Sequence, residues 1–341
     1  MPQHDRVRLL TPLWFVALTS ATACLDEPTE TLDETSAALS AGVAADRAQL
    51  ALRWAPVHFQ DVDQTGSHAL GGAADYIAAY DFDGNLNGRD NWDHAGNAAF
   101  PLRATGYYSV VETSSHWFLV YLFFHPRDWS DSFFDTEHEN DAEGVMLAVR
   151  RDGSTFGQLQ GAVTVAHTDF FSFVPAGGTW TSGGESTDGA LQMMTLGDGA
   201  HPVTAQQAKG HGLKARPFYD IVGDGVVYFP SATTAGVPTN PNDRNVSYWL
   251  VDMLAPGGMW DQRTNTQLFA SVGSFAGDNT GGCGGGTIGC DTNAANAPWG
   301  WDDHDDGPAR GALASDPAGL VRAYFTIPEA VSTTYTFNPF R

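Results

Sequence analysis

Basic residues are scarce in this chain, and lysine is almost absent. The 341 residues carry 17 Lys and Arg against 40 Asp and Glu, a formal net charge of −23, and the lysines are Lys209 and Lys214. Phosphate recognition needs clustered basic side chains, so the composition argues against nucleic acid or an anionic membrane surface as an electrostatic partner. The excess of carboxylates is compatible with cation binding, or with solubility alone.

The apolar segment near the N-terminus is too short to span a bilayer. Residues 9–18 (LLTPLWFVAL) follow Arg6 and Arg8, whereas a transmembrane helix needs about 20 apolar residues. A basic start, a short apolar segment and small residues before Cys24 are typical of a signal peptide. We therefore expect residues 1–23 to be a signal peptide and the mature chain to be exported.

Cysteine is rare, with three in the chain. Cys24 follows Ala21-Thr22-Ala23, which is similar to the motif before the lipidated cysteine of bacterial lipoproteins but lacks its usual leucine. A lipid anchor at Cys24 and plain secretion both remain open. Cys283 and Cys290 flank a glycine-rich segment, which in an exported protein predicts a short disulfide-closed loop, with two free thiols as the alternative.

Long helices are not expected in the rest of the chain. It has 38 glycines, and no amphipathic window of convincing length appears after Leu52. Residues 24–50 are acidic and lack aromatic residues, which predicts a disordered tether. Residues 51–341 alternate short β-rich runs with clusters of Gly, Asn, Asp and Pro. We expect them to form one all-β domain, a β-sandwich or jelly roll with long loops.

Some turns and strands of this domain can be placed. An Asp-Gly turn at residues 151–154 and a polar break at residues 112–115 each predict a hairpin. Residues 116–124 predict a strand that ends before Pro126, because proline cannot donate to a ladder. Residues 320–328 (LVRAYFTIP) predict another strand near the C-terminus.

Several common catalytic motifs are absent. The chain has no Gly-x-Ser-x-Gly and no Gly-x-x-x-x-Gly-Lys, and Ala142 stands where a zincin motif starting at His138 would place its second histidine. The scattered histidines have no ligand spacing, and we expect most of them to be structural or surface residues. They are His58, His68, His94, His116, His167, His201 and His211.

An acidic segment precedes one of the predicted strands. Residues 137–143 hold one histidine and four carboxylates, and an apolar run follows them. In a strand, Asp141 and Glu143 share a face because side chains alternate with a period of two. His138 has the opposite parity to Asp141, so it joins this face only if the chain bends near Asn140.

The end of the preceding strand supplies a further carboxylate. A loop over residues 127–137 is expected to connect the two strands, so that Asp128, His138, Asp141 and Glu143 lie at one rim of the sheet. Carboxylates held close together repel one another, and a bound cation keeps them charged at neutral pH. Three carboxylates and one imidazole suit Mg, Ca or Mn better than structural zinc. A solvated polar turn is the alternative.

These two segments, YLFFHPRD at 121–128 and HENDAEGVMLAV at 138–149, resemble the centre of the necrosis- and ethylene-inducing peptide-like proteins, which are secreted β-sandwich cytolysins. In that family a strand ends in Pro-Lys-Asp, and Gly-His-Arg-His-Asp-Trp-Glu opens the next strand. The resemblance implies that divalent-cation ligands fall on Asp128, His138, Asp141 and Glu143. It covers about thirty residues strongly.

The chain also departs from the family pattern. Glu137, Glu139, Asn140 and Ala142 replace the Gly, Arg, second His and Trp of the heptapeptide. Metal binding is compatible with these changes, whereas toxicity toward plant membranes is put in doubt. A looser similarity connects the segment to fungal vacuolar-sorting-type β domains, which have a similar His-Glu-x-Asp-x-Glu strand opening.

A second acidic loop alternates oxygen-bearing side chains in a way that can wrap a calcium ion. The EF-hand pattern fails, because Leu86 stands in place of the required glycine and Trp92 in place of the bidentate glutamate. A different cation loop and an Asn/Gly-rich turn are both open. The side chains concerned are Asp81, Asp83, Asn85, Asn87 and Asp90.

A third acidic stretch, PWGWDDHDDGP at residues 298–308, combines two tryptophans with four aspartates and a histidine. It predicts either a metal or sugar site or, as the favoured interpretation, an exposed acidic loop with two tryptophans packed beneath it.

Together these features favour an exported divalent-cation-binding β-sandwich protein. By the family resemblance, its function would be cation-dependent recognition of a glycolipid head group or another glycan, or cytolysin-like activity. One alternative is a metal-dependent hydrolase of a glycan or phosphoester, with Glu137 or Glu139 activating water. Another is a structural envelope lipoprotein whose cation pins two strands.

Overall fold

The computed structural model describes residues 45–131, 137–278, 295–305 and 309–341. The predicted signal peptide, Cys24, Cys283 and Cys290 lie outside the described residues. The helices are α1 (Arg47–Trp54), α2 (Asn91–His94), α3 (Ala312–Ser315) and α4 (Pro317–Tyr324), with a 3-10 helix at Leu70–Asp75. The strands are β1 (Val57–Asp61), β2 (Thr105–Thr113), β3 (His116–Asp128), β4 (His138–Arg150), β5 (Gln158–Ala166), β6 (Asp169–Pro175), β7 (Thr181–Ser182), β8 (Gly189–Leu191), β9 (Met193–Leu196), β10 (Gly199–Gln206), β11 (Leu213–Ala215), β12 (Gly225–Ser231), β13 (Val246–Asp252), β14 (Phe269–Ser271), β15 (Ser274–Phe275), β16 (Phe325–Thr326) and β17 (Tyr335–Phe337).

Thirteen of these strands form one mixed sheet, in the order β11-β10-β1-β12-β13-β2-β3-β4-β5-β6-β8, with β17 beside β2 and β9 beside β10. The stretch from β2 to β6 is an antiparallel meander, whereas the pairs β1–β10, β12–β13, β13–β2 and β6–β8 are parallel. The remaining strands make two small sheets, β14 with β15 and β7 with β16.

The central strands β3 and β4 are buried on both faces, which explains their nearly continuous apolar runs. In β3, Phe118 and Leu122 pack into a core with the C-terminal helices, while Leu119 and Phe123 pack into a second core on the other face. All four side chains are 0% exposed. Truncating one of them, for example by Leu122→Ala, would cost roughly 2–5 kcal/mol because a cavity remains.

The sheet folds over itself, because β11 packs against β4 and β5 although it lies at the far end of the strand order. The half of the sheet that contains β1, β12 and β13 therefore covers one face of the central strands and encloses the second core. The prediction of an all-β single domain is confirmed. Its two layers come largely from this one mixed sheet.

Both predicted hairpins are confirmed. Thr113 ends β2, and its hydroxyl accepts the backbone N–H of His116 at 3.0 Å, which closes the turn into β3. In the turn from β4 to β5, Asp152 Oδ1 accepts the backbone N–H of Ser154 at 2.9 Å, and Gly153 takes the left-handed conformation with φ of 90°. In both turns a side chain accepts a backbone N–H only two or three residues away, which is the local interaction that favours a turn.

The described helices are short, with at most eight residues, but the first of them lies at the predicted start of the domain. Helix α1 begins at a capping box, in which Asp46 Oδ1 accepts Gln49 N–H and Gln49 Oε1 accepts Asp46 N–H. The predicted start of the domain at residue 51 falls inside this helix, whose Leu50 and Trp54 are buried. No helix among the described residues has the length and apolar character to cross a membrane.

The predicted strand at residues 320–328 is wrong over its first half. Residues 317–324 form α4, with Pro317 in its first turn and Leu320, Val321 and Tyr324 buried on one face. Proline is well tolerated at the start of a helix, and the spacing of the buried residues follows the helical period. Only Phe325–Thr326 continue as a short strand.

Candidate cation site

Strands β3 and β4 extend further than predicted at the rim that carries the acidic residues. Asp128 pairs with His138 and Arg127 pairs with Glu139, so the expected loop over residues 127–137 is wrong at residues 127 and 128, which belong to β3. His125 pairs with Asp141 and Arg127 pairs with Glu139, so the register is the same on both sides of Pro126. The proline interrupts the pairing without ending the strand, which places Asp128 directly opposite His138.

Asn140 provides the bend that the parity argument required. Its backbone takes the left-handed conformation, with φ of 61°, which asparagine tolerates better than most residues. Its side-chain amide donates to the carbonyls of Gly88 (2.8 Å) and Ala276 (2.6 Å), and its oxygen accepts from Asn91 Nδ2 at 2.5 Å. Buried hydrogen bonds thus hold a left-handed residue at the position where the parity argument required a bend, and the pairing of β3 with β4 keeps the same register on either side of it.

Asp128 and His138 form a direct pair beyond this bend. His138 Nε2 lies 3.1 Å from Asp128 Oδ2, and the Nδ1–H of His138 donates to the backbone carbonyl of Asn140 at 2.8 Å. Burial alone would lower the pKa of His138, but the charge and hydrogen bond of Asp128, together with Asp141, raise it to about 10. The imidazole is therefore fixed in orientation and, without a cation, holds a proton at Nε2 that it shares with Asp128.

Asp141 is held by a different histidine. Its Oδ2 lies 3.0 Å from His211 Nδ1, and its Oδ1 accepts the backbone N–H of Ala142 at 2.8 Å. Burial opposes the charged form, but the hydrogen bond and charge of His211 hold the pKa of Asp141 below its usual value. The other nitrogen of His211, Nε2, lies 3.3 Å from Asp75 Oδ1, so this imidazole bridges two carboxylates.

His211 is itself firmly positioned. Its ring stacks on His125, with centroids 3.7 Å apart and an angle of 5° between the planes, and its carbonyl accepts from Gln206 Nε2 at 2.7 Å. Burial would lower the pKa of His211, but the hydrogen bonds to Asp141 and Asp75 raise it to about 9. The second imidazole of the site thus also favours the charged form.

Glu143 connects β4 to two neighbouring segments. Its Oε1 accepts the backbone N–H of His167 at 2.5 Å, and its Oε2 accepts that of Leu213 at 2.7 Å. Burial and the nearby charge of Asp141 raise the pKa of Glu143 well above its usual value. The carboxylate holds the turn after β5 and the start of β11 in place, while Asp141 and Glu143 share a strand face as predicted.

Backbone strain is concentrated around these side chains. Among the described residues, four of the five non-glycine residues with positive φ are Asn140, His167, Lys209 and His211. A Cβ added to Gly210 would lie 2.8 Å from His167 Cε1 and 3.8 Å from Asp128 Oδ2, so the backbone before β11 approaches the acids closely. Such conformations cost of order 1–3 kcal/mol each and cluster at functional sites.

The donor types fit an oxygen-preferring divalent cation. Asp128, His138, Asp141 and Glu143 are all at least nine-tenths buried, and a histidine held through Nδ1 by a backbone acceptor presents Nε2 as metal-binding histidines do. The structure brings Asp128 and His138 into contact and holds Asp141 and Glu143 with other partners. Among the described residues, no three of these four side chains have ligand atoms that all lie within 4.8 Å of one another.

Sequence reasoning missed His211 and Asp75. His211 was expected to be a structural or surface residue, and Asp75 was not considered, yet both are fully buried and join Asp141 in one network. In the sequence, His211 lies 70 residues from Asp141, and Asp75 lies 136 residues from His211. No local pattern signals such a contact, because it depends on the closure of the sheet.

In the second acidic loop, Asp83 and Asp90 come together with His94, and their ligand atoms lie within 4.8 Å of one another. His94 Nδ1 is 2.6 Å from Asp83 Oδ2. The amides of Asn85 and Asn87 donate to these carboxylates at 2.6 Å and 3.0 Å. The loop thus closes on itself as Asx turns do, and Asp81 lies outside the group of three.

In the third acidic stretch, Trp299 and Trp301 are buried as expected, and Trp301 Nε1 donates to the carbonyl of Ala142 at 2.9 Å. Asp303 accepts the hydroxyl of Tyr324 and lies with two exposed acids, Asp169 and Asp305, in a group whose oxygens are within 4.8 Å of one another. Asp306 lies outside the described residues.

Comparison with known proteins adds a distant similarity. No family model and no curated protein matches the chain. A necrosis and ethylene inducing protein from the causal agent of cocoa's witches' broom disease is 15% identical, with a TM-score of 0.30 over 54% of this chain and 74% of that chain. A structure described as a toxin fold as basis for microbial attack and plant defense is 13% identical, with a TM-score of 0.33 over 76% of this chain and 88% of that chain.

A third match, NLPPya in complex with glucosamine, is 14% identical, with a TM-score of 0.28 over 58% of this chain and 71% of that chain. The chain is thus distantly similar to necrosis- and ethylene-inducing proteins, the family that its two strand segments resemble.

Proposed function

We propose that the chain is an exported protein that binds a divalent cation, Mg, Ca or Mn, through Asp128, His138, Asp141 and Glu143. The orientation of His138 carries the proposal. Its Nδ1–H is bound to the carbonyl of Asn140 at 2.8 Å, which leaves Nε2 beside Asp128 at 3.1 Å. The backbone acceptor on Nδ1 keeps Nε2 pointed at the site, and a bound cation would take the place of the proton that Nε2 shares with Asp128.

The local charge supports the same proposal. Asp75, Asp128, Asp141 and Glu143 are between 0% and 8% exposed. As a ligand His138 is neutral, so the imidazoles of His211 and of His167, whose Nδ1 lies 3.6 Å from Glu143 Oε1, offset at most two of these four charges. Buried carboxylates without a compensating charge are costly, and they bind a proton or a cation instead. A divalent ion would supply the missing positive charge.

The proposed ligand of the cation is a glycan, such as the head group of a glycolipid. Asp128 and His138 lie at the rim of the sheet, and a small part of each side chain remains exposed. Oxygen-preferring cations take six to eight oxygen ligands and rarely receive all of them from one protein site. Neighbouring hydroxyls of a sugar can complete such a shell. The resemblance of the two strand segments to the cytolysin family supports this choice and a cytolysin-like activity.

Calorimetry of the exported chain with Ca, Mg and Mn tests the cation proposal. Asp128→Asn keeps the size of the side chain and removes its charge, so it is expected to lower affinity about tenfold or more. Asp152→Asn is the matched control, because Asp152 lies in an exposed turn between β4 and β5. Identical cation binding by wild type and Asp128→Asn, with both proteins folded by circular dichroism, would refute the site.

The hydrolase alternative is less well supported by the geometry. Glu139 is a possible base, because burial raises its pKa to about 7. Its two oxygens, however, accept the backbone N–H groups of Trp92 (3.1 Å) and Asp278 (2.9 Å), and Glu137 accepts from Ser130 N–H at 3.0 Å and contacts His68. Both acids hold loops in place. Cation-dependent turnover of a polysaccharide or phosphodiester that Glu139→Gln abolishes would reverse this preference.

Export, and a lipid anchor at Cys24, belong to the same proposal. Mass spectrometry of the N-terminus of the native protein distinguishes a lipidated Cys24 from a released chain. A structural envelope lipoprotein would lose thermal stability on chelation without binding any glycan on an array, which separates that alternative from glycan recognition.

A further inference from the structure

A pocket separate from the cation site opens beside β2 and β13. It encloses about 320 Å³ between the start of β2, the end of β13 and the segments at residues 79–81 and 255–259. This volume lies at the lower end of the range for small-molecule sites. The pocket shares no residue with the proposed cation ligands.

Fixed aromatic rings line this pocket. Trp249 is 44% exposed, which is unusual for tryptophan, and its Nε1–H donates to the carbonyl of Ala232 at 3.0 Å. Tyr107 accepts the backbone N–H of Tyr80 at its hydroxyl at 3.2 Å, and the two tyrosine rings lie 5.4 Å apart. Trp249 therefore offers an accessible apolar face that is already held in one orientation, which reduces the entropy lost on binding.

The polar side chains of the pocket are chiefly acceptors. Asp81 and Asp252 both line it, and among the described residues none that lines it is basic. Asp252 is oriented by the backbone N–H of Leu254, which donates to its Oδ1 at 2.9 Å. Burial raises the pKa of both carboxyls. These carboxylates would repel an anionic ligand. A ligand with hydroxyl donors would instead replace the hydrogen bonds to water that the carboxylate oxygens lose on binding.

We propose that this pocket binds one or two pyranose rings of an uncharged sugar. The apolar C–H face of a pyranose would stack on Trp249, and its hydroxyls would donate to Asp81 and Asp252. A sugar carries an apolar face and hydroxyl donors on one small rigid molecule, and these match the exposed face of Trp249 and the carboxylates beside it. The assignment is independent of the proposed cation site.

Saturation-transfer difference NMR with the exported chain tests this assignment. The probes are glucose, galactose, mannose, N-acetylglucosamine and cellobiose, all in the presence of EDTA. At least one of them is expected to receive saturation transfer, and Trp249→Ala is expected to weaken its binding about fivefold or more. Asp252→Asn is expected to weaken binding as well. Phe218→Ala is the matched control, because Phe218 is also an exposed aromatic residue, at 49% exposure, and does not line the pocket.

Three results would overturn the assignment. One is that wild type binds none of the five sugars. Another is that Trp249→Ala binds as wild type does. The third is that sugar binding requires a cation and is lost in Asp128→Asn but not in Trp249→Ala, which would move the sugar to the cation site. Conversely, sugar binding that survives EDTA and Asp128→Asn supports the pocket even if the proposed cation site fails.

Discussion

Replacing Asn140 with alanine is expected to destabilise the protein by about 4 kcal/mol. The buried amide of Asn140 donates to the carbonyls of Gly88 and Ala276 and accepts from Asn91. Each of these three hydrogen bonds contributes roughly 1 kcal/mol net. Alanine at a φ of 61° adds roughly 1 kcal/mol more, because its Cβ crowds the following carbonyl in the left-handed region.

Asn140→Gly separates these two contributions. Glycine loses the same hydrogen bonds but adopts positive φ freely, so this variant is expected to be about 1 kcal/mol more stable than Asn140→Ala. Urea unfolding at pH 7, followed by tryptophan fluorescence and circular dichroism, gives both free energies. Asn245→Ala is the control, because Asn245 is exposed and its replacement is expected to change stability by no more than about 0.5 kcal/mol.

The refuting results are specific. Equal stability of the alanine and glycine variants would mean that the left-handed backbone of residue 140 carries no strain penalty for alanine. A loss below about 1 kcal/mol in Asn140→Ala would mean that the three buried hydrogen bonds are not what holds the bend. Because the backbone carbonyl of Asn140 orients His138, we also expect weaker cation binding in the alanine variant than in the glycine variant.

Two further predictions concern packing and pH. Gly144→Ala should lower the melting temperature strongly, because the new Cβ would lie 1.9 Å from the Tyr121 carbonyl oxygen and 2.6 Å from Trp301 Cη2. The control is Gly197→Ala, whose Cβ would meet nothing within 4 Å. Equal melting temperatures of the two variants would refute this packing. Burial lowers the pKa of His116 to about 4. At this position the unfolded chain therefore takes up a proton near pH 6.5 before the folded chain does, so His116 by itself lowers stability as pH falls from about 6.5 to about 4, by at most about 1.4 kcal/mol per pH unit. His116→Gln should reduce this slope in urea unfolding between pH 7 and pH 5, and an unchanged slope would contradict the assignment.

Local chemistry made part of the structure predictable. The turns at Thr113 and Asp152 use side-chain acceptors within three residues of the donor, so sequence alone contains the interaction. The shared face of Asp141 and Glu143 follows from strand parity. The left-handed residue Asn140 lies where the same parity argument required a bend for His138 to join the face of Asp141.

Other features depended on competition between local and tertiary preferences. Pro126 removes one amide hydrogen from β3 and was expected to end the strand, yet the pairs on either side of it keep the ladder in register. The apolar residues of α4 suit a strand as well as a helix. The buried face formed by Leu320 and Tyr324 becomes decisive only when it packs against the core.

The partner of Asp141 shows why the candidate site could not be completed from sequence. His211 reaches Asp141 because β10 and β11 close over the central strands, and Glu143 holds that closure by accepting the backbone N–H of Leu213 at 2.7 Å. Glu143 therefore acts on Asp141 indirectly, by fixing the strand that follows His211. A change that loosened β11 would remove the imidazole from Asp141 while leaving β4 intact. The strand motif is thus only half of the site, and the other half is supplied by the fold of the sheet.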